Sequence, residues 1–498
     1  MKRTGLFIFI LALVCGLRAQ SPQPYLVVDF AEKELPAMLD LCHQGGFEAL
    51  VVKTPFSTCG HYQWNETFAP EGNKSVRRMV KTALDEGVTL GLLVQEDVVS
   101  VNDDFFSPRY FSQFQHSEPY VLFDELAAED EDIALRRKGT FKSLSALNLL
   151  LIDEELISFG AMEFAGDLIL LHHCTRGLYG TKRTTHSEKT RVYRLGETPD
   201  GLVIPEGDLR KTVHQQLTNR LTASDVSLVI VKGAPGQELI EESIRALRVE
   251  QWENEGLENN SLGWFVIHAG DKKRAATTLE DLEWVLSKAT AYHATYGLLL
   301  DATAIKKHGS LPNLFEAMKR WNTINRLDVL TASQKEEVSD PYIDWHLEKQ
   351  SDSLYLLYPL NYSRRYQGNL QEIDTGLLQS ENWVWKVEQE GQFGLRLQVE
   401  GEVDVINPMI NTSKGLAMFT CTIQPGQRLV FDSGETAYLM DANSNLIKEV
   451  YVEGLPELAQ GDNEVNFFCE VDRNAVQKPQ VKLRYITREQ PFEIHPYK

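Results

Sequence analysis

Asp225-Val-Ser-Leu-Val-Ile-Val-Lys-Gly233, followed by Ala234-Pro235-Gly236, is the stretch on which the fold turns. From Leu228 to Val231 it is continuously apolar, which suits a strand buried on both faces, and it stops at a Lys-Gly pair where the chain must turn. Such strands belong to parallel sheets covered by helices. In a parallel barrel the residue at the C-terminal end of a strand faces the functional mouth. Here that residue is Lys232.

The same grammar recurs on both sides of this stretch. Tyr25-Leu-Val-Val-Asp-Phe30 is an apolar run with Asp29 near its end, and an amphipathic helix follows from Glu34 to about His43, closed by Gly45-Gly46. Ala49-Leu-Val-Val-Lys53 repeats the strand, Ser75 to Glu86 repeats the helix, and Thr89-Leu-Gly-Leu-Leu-Val-Gln-Glu-Asp97 is a third strand. Strand, helix, strand at this spacing implies right-handed crossovers. On the far side, Asp208 to Leu221 is a helix that leads into the opening stretch, and Gln237 to Glu250 forms the next. Gly263-Trp-Phe-Val-Ile-His268 is a strand, Thr277 to Ala291 a helix with Thr278 as its cap, and Tyr296-Gly-Leu-Leu-Leu-Asp301 a further strand. The helix at Leu314 to Asn325 follows, and Ser353-Leu-Tyr-Leu-Leu-Tyr358 is the run expected to close the sheet. That makes seven candidate strands, one short of an eight-stranded barrel.

Two regions break the alternation. Between about His116 and Leu195 the chain reads as short strands, at Leu149–Ile152, Glu155–Phe159, Asp167–His172 and Thr190–Leu195, separated by turn residues. This is a small β-rich insertion on the loop side of the third strand. From about Glu381 helical periodicity disappears, and runs such as Trp383–Val387, Gly394–Val399, Arg428–Phe431 and Val481–Tyr485 have the pattern of a β-sandwich. The expected fold is therefore α/β: a (β/α)8-like barrel, complete or one strand short, with an inserted small β domain and a C-terminal β-sandwich. The expected segments are 1–19 as a signal peptide, 20–115 and 197–365 as the two barrel parts, 116–196 as the insert and 380–498 as the sandwich.

The leader assignment rests on Met1-Lys2-Arg3, an apolar run from Leu6 to Val14, and Leu17-Arg18-Ala19 before Gln20, which predicts cleavage after Ala19 and a secreted or periplasmic protein. The apolar run is too short to span a bilayer, and no later segment is long enough. The bulky Val14 before Cys15 argues against a lipid anchor. The chain has 50 basic and 71 acidic residues; with Lys2, Arg3 and Arg18 removed, 47 basic residues face 71 acidic ones, a net charge of −24. Such a surface repels nucleic acid and anionic membranes. The five cysteines beyond the leader are too scattered for a disulfide framework. Cys421 and Cys469, in strand-like runs of one domain, are placed either to pair or to remain buried thiols.

Thr175-Arg-Gly-Leu-Tyr-Gly-Thr181, with His186 five residues on and Arg191-Val-Tyr-Arg-Leu195 closing, resembles a pattern found in secreted bacterial proteins of glycoside-hydrolase-like barrel type, in which a small β-insert carries Arg-Gly-x-x-Gly-Thr followed by His. Gly263-Trp-Phe-Val-Ile267, Thr277 to Leu286 with Ala289, and Trp345-His-Leu-Glu348 before Leu357-Tyr-Pro-Leu360 are similar to the same group. The resemblance covers roughly Tyr25 to Leu360. It implies a carbohydrate partner, with no cofactor and no metal. In that group the strand after the insert ends in Asp-Gly followed shortly by Glu, whereas Lys232-Gly233 and Pro235 stand here. The group also carries a longer segment before the Gly-Trp-Phe strand.

Glycosidic hydrolysis usually takes two carboxyl groups about 5 to 10 Å apart. The strand-end acids are Asp29, Glu96, Asp97 and Asp301, of which Glu96 and Asp301 are the leading catalytic candidates, with Asp97 beside them. The competing role for such acids is to cap the following helix or bind loop amides. Lys53 and Lys232 both end apolar strands; they pair with neighbouring acids, bind a uronate or sulfate, or act as a Schiff-base amine. Arg176 and His186 either contact substrate from the insert or brace its turns, in which Gly177 and Gly180 take the tight conformations. His268 is a polar candidate for the cleft, and Tyr62 and Trp64 are candidate sugar-stacking rings. His172-His173-Cys174 lacks zinc-site spacing, and Trp383 and Trp385 share one strand face suited to a core. Without the strand-end acids of the group, the same barrel mouth would serve a non-catalytic glycan-binding protein.

Overall fold

A computed structural model describes residues 24–136, 146–231, 244–257, 260–271, 274–368, 370–454, 457–475 and 477–497. Lys232, Gly233 and Pro235, and the first half of the helix expected from Gln237 to Glu250, lie outside the described residues, and its second half is helical from Arg245. Three β systems carry the fold. The first is parallel: among the described residues, Leu228–Val231, β3 (Thr89–Val94) and β2 (Ala49–Val52) follow one another in order, and β1 (Tyr25–Val28), Thr295–Leu300 and Ser261–Ile267 do likewise. Both β1 and β2 are buried at every position, as strands covered on both faces must be.

The chain divides into two compact units. Asp29–Leu35 and Val51–Ala234 form the first, within which Leu228–Val231 pairs in parallel with Gly91–Val94. Helix α2 (Asn73–Asp85) buries Val76, Met79 and Ala83 at helical spacing, and α3 (Gly207–Ala223) buries Leu209, Val213 and Leu217. Between them lies the insert, a seven-stranded antiparallel sheet built from Tyr120–Leu122, Ile133–Arg136, Leu149–Ile152, Glu155–Ser158, Ala161–Ala165, Leu168–His172 and Arg191–Arg194. It has its own apolar core of Leu135, Leu150, Ile157, Ile169, Leu171 and Val192.

The second unit holds the remaining barrel elements and the C-terminal sheets. There β1 pairs in parallel with Thr295–Leu300, which pairs in parallel with Ser261–Ile267. Helix α5 (Leu279–Ala291) begins at a reciprocal cap: Asp281 N–H donates to Thr278 Oγ1, and Thr278 N–H to Asp281 Oδ2, both at 3.2 Å. Every residue from Leu282 to Ala291 is buried, so this helix is enclosed all round. Two charged groups are enclosed with it. Glu283 accepts from the Trp321 indole, the Leu347 amide and His346 Nδ1. Lys288 Nζ donates to the carbonyls of Val338, Asp340 and Ile343 at 2.6, 2.5 and 3.2 Å, which occupies all three of its N–H groups.

The run expected to close the barrel does not do so. Leu354–Tyr362 pairs antiparallel with Asp344–Ser351 and with Gln480–Arg488, and so begins the C-terminal sheet. Asp352 and Ser353 span a short hairpin turn, and Tyr355 and Leu357 are buried while Leu354, Leu356 and Tyr358 are half-buried; that period-two pattern marks a strand with one covered face. Further on, Leu446–Glu453 pairs with Thr436–Met440 along most of its length and with Met418 and Phe419 at its end, so it passes between two layers. Leu395, Phe431 and Leu483 of one layer share a core with Trp385, Phe419 and Phe467 of the other, which is a β-sandwich. Trp383 and Trp385 belong to that core, stacked around Tyr485. Cys421 and Cys469 are both free thiols there, and burial pushes them up to about 11 and about 12 respectively.

Replacing Lys288 by Met would take its ammonium donor away from three carbonyls, of which Asp340 keeps only a long bond from the Ile343 amide. We expect Lys288→Met to cost roughly 3 kcal/mol or more, read as a lower urea midpoint for the second unit, with Lys319→Met, at an exposed position of α7 (Leu311–Leu327), as the control.

Candidate functional site

The site is approached from the loops that follow β2 and β3, neighbours in the parallel sheet, both within the first unit. Parallel strands place functional side chains beyond their carboxyl ends. Asp29, just past β1, accepts the Thr54 amide at 2.7 Å and the Thr54 hydroxyl at 2.9 Å, which ties it to the loop after β2. Lys53 is exposed at the end of β2. Glu96 lies half-buried two residues beyond β3, and burial, with Asp97 beside it, raises its pKa against the opposing pull of His214. Asp97 takes a left-handed conformation (φ 54°) and pairs with Arg210 of α3 at 2.6 Å.

Two other expected groups lie in the second unit. Asp301 is exposed and caps α6 (Ala302–Lys307), accepting the Ala304 amide at 2.6 Å, so the helix-capping alternative describes its contact. His268 is half-buried, its Nδ1 3.1 Å from the Ala269 carbonyl, and its own amide donates to Thr277 Oγ1. Glu96 and Asp301 thus stand in different units.

The expected stacking rings are not open faces. Tyr62 is fully buried at φ 51°, its hydroxyl donating to the Gln95 carbonyl at 2.8 Å and its ring edge-on to Phe56. Trp64 is 8% exposed, donates its indole N–H to Asn73 Oδ1, and packs against Phe56 and Phe68. Aromatic residues in a loop that must cover a strand end are drawn into the local core, and these two hold the loop in place.

Arg176 and His186 form the polar centre of the insert. All five N–H groups of the Arg176 guanidinium are used: Nε and one on Nη2 go to Glu155, and the others to the carbonyls of Ala127, Asp130 and Thr184. His186 is 2% exposed, with Nε2 2.9 Å from Glu155 and Nδ1 2.8 Å from Asp153. Glu155 also accepts the amides of Gly177 and Thr184. Gly177 and Gly180 have φ of 66° and 82°, as the turns around this network require. The bracing role therefore accounts for the Arg176 contacts and leaves no donor for a sugar. Asp153, the outer member, also lines an open cleft of about 580 Å³ with His116, Leu151, Arg191 and Tyr193.

One constellation at the sheet ends has no counterpart among the residues singled out from sequence. Asp103, whose side chain is wholly buried, accepts four hydrogen bonds: from Thr58 Oγ1 at 2.9 Å, the His61 amide at 2.9 Å, His61 Nδ1 at 2.8 Å and the Phe105 amide at 3.0 Å. His61 itself is about one-third exposed and stacks on Phe105 with ring centroids 3.9 Å apart and 13° between planes. Gly60 makes the approach possible: at φ 118°, a Cβ there would sit 2.6 Å from Asp103 Oδ1. From α3, Arg220 donates to the His61 carbonyl at 3.4 Å, and burial lowers its pKa. The only local sequence signal is Cys59-Gly-His61, a glycine before a histidine in the loop after a parallel strand.

Burial raises the Glu155 pKa, but Arg176, His186 and the Thr184 amide outweigh it and hold the carboxyl down to about 2. A depressed carboxyl contributes its full stability above its unfolded pKa of roughly 4.3 and loses it as pH falls through the folded value. The insert is therefore expected to lose on the order of 3 kcal/mol between about pH 4.5 and 2. Glu155→Gln is expected to be less stable at neutral pH and to show a flat profile across that window in pH-dependent near-ultraviolet circular dichroism.

No family model matches the sequence, and no curated protein matches it. Among solved structures it is similar to a GH36 α-galactosidase, AgaB, from Geobacillus stearothermophilus, at 10% identity and a TM-score of 0.33, over 93% of this chain and 57% of that one. The chain thus spans a little over half the length of that enzyme. It is also similar to an α-amylase from Lactobacillus plantarum, at 8% identity and a TM-score of 0.31 over 93% of this chain and 98% of that one. A noncanonic maltogenic α-amylase, AmyB, from Thermotoga neapolitana aligns at 8% identity and a TM-score of 0.30, over 89% and 98% of the two chains. Superposition this loose pairs no residue with another, and the fold stands on its own strand pairing.

Proposed function

We propose that the chain is a secreted, glycan-directed protein of glycoside-hydrolase-like barrel type, which hydrolyses poly- or oligosaccharide with Glu96 as its acid. The observation that carries this reading is Glu96 itself: a half-buried carboxyl beyond the carboxyl end of a parallel strand, with its pKa raised by burial. A general acid must hold its proton at working pH, and partial burial is how a carboxyl comes to do so. Lys53, exposed at the end of the neighbouring strand, suits a glycan that carries carboxylate or sulfate groups. Export rests on the Met1–Ala19 leader, and the C-terminal sandwich fits a polysaccharide substrate.

A specific observation favours a second reading, glycan binding without turnover. Asp29, Asp97 and Asp301 are each committed to a structural partner, Thr54, Arg210 and the Ala304 amide respectively. A panel of neutral, uronic and sulfated oligosaccharides, assayed for both binding and new reducing ends, separates the two. Under the hydrolase reading the wild type releases reducing ends, and Glu96→Gln lowers kcat by about two to four orders of magnitude while binding is retained. Binding with no reducing ends from any member of the panel would replace it with the second reading.

A further inference from the structure

We propose that His61 is the catalytic base of this site, with Asp103 as its positioning residue, so that an imidazole rather than a second carboxylate activates the attacking water. The inference rests on the hydrolase reading above and names the group that reading lacks.

The geometry sets the proton inventory. A buried, ionised carboxylate is acceptor-only, so the nitrogen of His61 that meets Asp103 at 2.8 Å must carry hydrogen. That fixes the tautomer with Nδ1 protonated and leaves a lone pair on Nε2. Ring orientation is fixed as well: the imidazole is held edge-on by Asp103 and face-on by Phe105, while about a third of its side chain stays open. Asp103 has no such freedom. Its four donors engage both oxygens in a pocket sealed from water, so it acts only through the ring. Loop bracing alone does not need this, because the Thr58 hydroxyl and the two backbone amides already engage the carboxylate; the ring adds a directed, partly exposed base.

The loop that carries His61 is tied to the segment that carries Glu96. Tyr62, the residue after His61, donates its hydroxyl to the Gln95 carbonyl, the residue before Glu96, and β2 and β3 are adjacent. The charged and titratable groups facing this neighbourhood are Asp103 beneath the ring, Cys59 two residues before it, Glu96 and Asp97 from the loop after β3, and Arg210, His214 and Arg220 from α3. The oxygen of a water bonds to the anomeric carbon, and its proton goes to His61 Nε2. The bond from that carbon to the leaving-group oxygen breaks, and that oxygen takes the proton of Glu96. Solvent then returns the proton from His61 to Glu96. No bond forms between sugar and protein, so the product carries inverted anomeric configuration.

The test uses the whole secreted chain and the oligosaccharide that gives the highest turnover in the panel above. We expect inversion by proton NMR of the fresh product, a loss of about two to four orders of magnitude in kcat for His61→Gln, and partial rescue of His61→Ala by added imidazole. Unchanged thermal unfolding of His61→Gln would confirm that the loss is chemical. Asp103→Asn replaces an oxygen that accepts with an N–H2 that donates and so releases the tautomer, and kcat is expected to fall with KM unchanged, a split that mere loosening of the loop would not produce. Turnover with retained configuration, or turnover indifferent to His61→Gln, overturns the assignment of His61 and leaves the hydrolase reading standing. No turnover in the wild type overturns both.

Discussion

A strand covered on both faces admits no charged side chain along its length, and that constraint shapes the rest of the parallel sheet. β1 and β2 are buried at every position and β3 at all but its first, so polar groups are expelled to the segments beyond them, where Asp29, Lys53, His61 and Glu96 stand. The same expulsion explains the ordering of the loops. Once the strand ends carry polar residues, something apolar must seal the sheet beneath them, and Tyr62, Trp64, Phe56 and Phe68 do so after β2.

Enclosed charges elsewhere obey a rule that separates bracing from function. Lys288 uses all three of its N–H groups on carbonyls, Arg176 uses all five, and Glu155 accepts from a guanidinium, an imidazole and two amides. Desolvating an ion costs several kcal/mol, and only full hydrogen bonding offsets that cost. A saturated group has nothing left to offer a substrate. By that count Arg176 is internal architecture, whereas His61 spends one nitrogen on Asp103 and keeps the other.

Much of the architecture is legible in the chain itself. Continuous apolar runs alternating with amphipathic helices predict the parallel sheet, and the loss of helical periodicity after Glu381 predicts the sandwich. Leu354–Tyr362 is misread because a short run with alternate residues buried differs little on paper from a central strand. The site is less legible. Asp301 sits where a strand-end acid and a helix cap share one sequence signature, and its bond to the Ala304 amide at 2.6 Å shows only in the folded chain. Tyr62 and Trp64 read as open rings because exposure is a property of the folded loop. The link between His61 and Asp103 spans 42 residues and two loops without periodicity, so no local pattern announces it.

Placing the charge at Asp103 and the reactivity at His61 also resolves a conflict between stability and chemistry. A carboxylate able to act as base must keep a lone pair exposed to water or substrate, and an exposed carboxylate with a pKa near 4 is a weak base. Burying Asp103 among four donors holds the negative charge in place, and the ring at its edge carries the influence of that charge outward to a nitrogen whose ordinary pKa lies near neutrality. Glu96 is tuned the opposite way, with burial favouring its protonated form. A carboxyl whose burial favours its proton, together with an imidazole that keeps one nitrogen free, supplies the acid and the base that catalysis on a single bond requires.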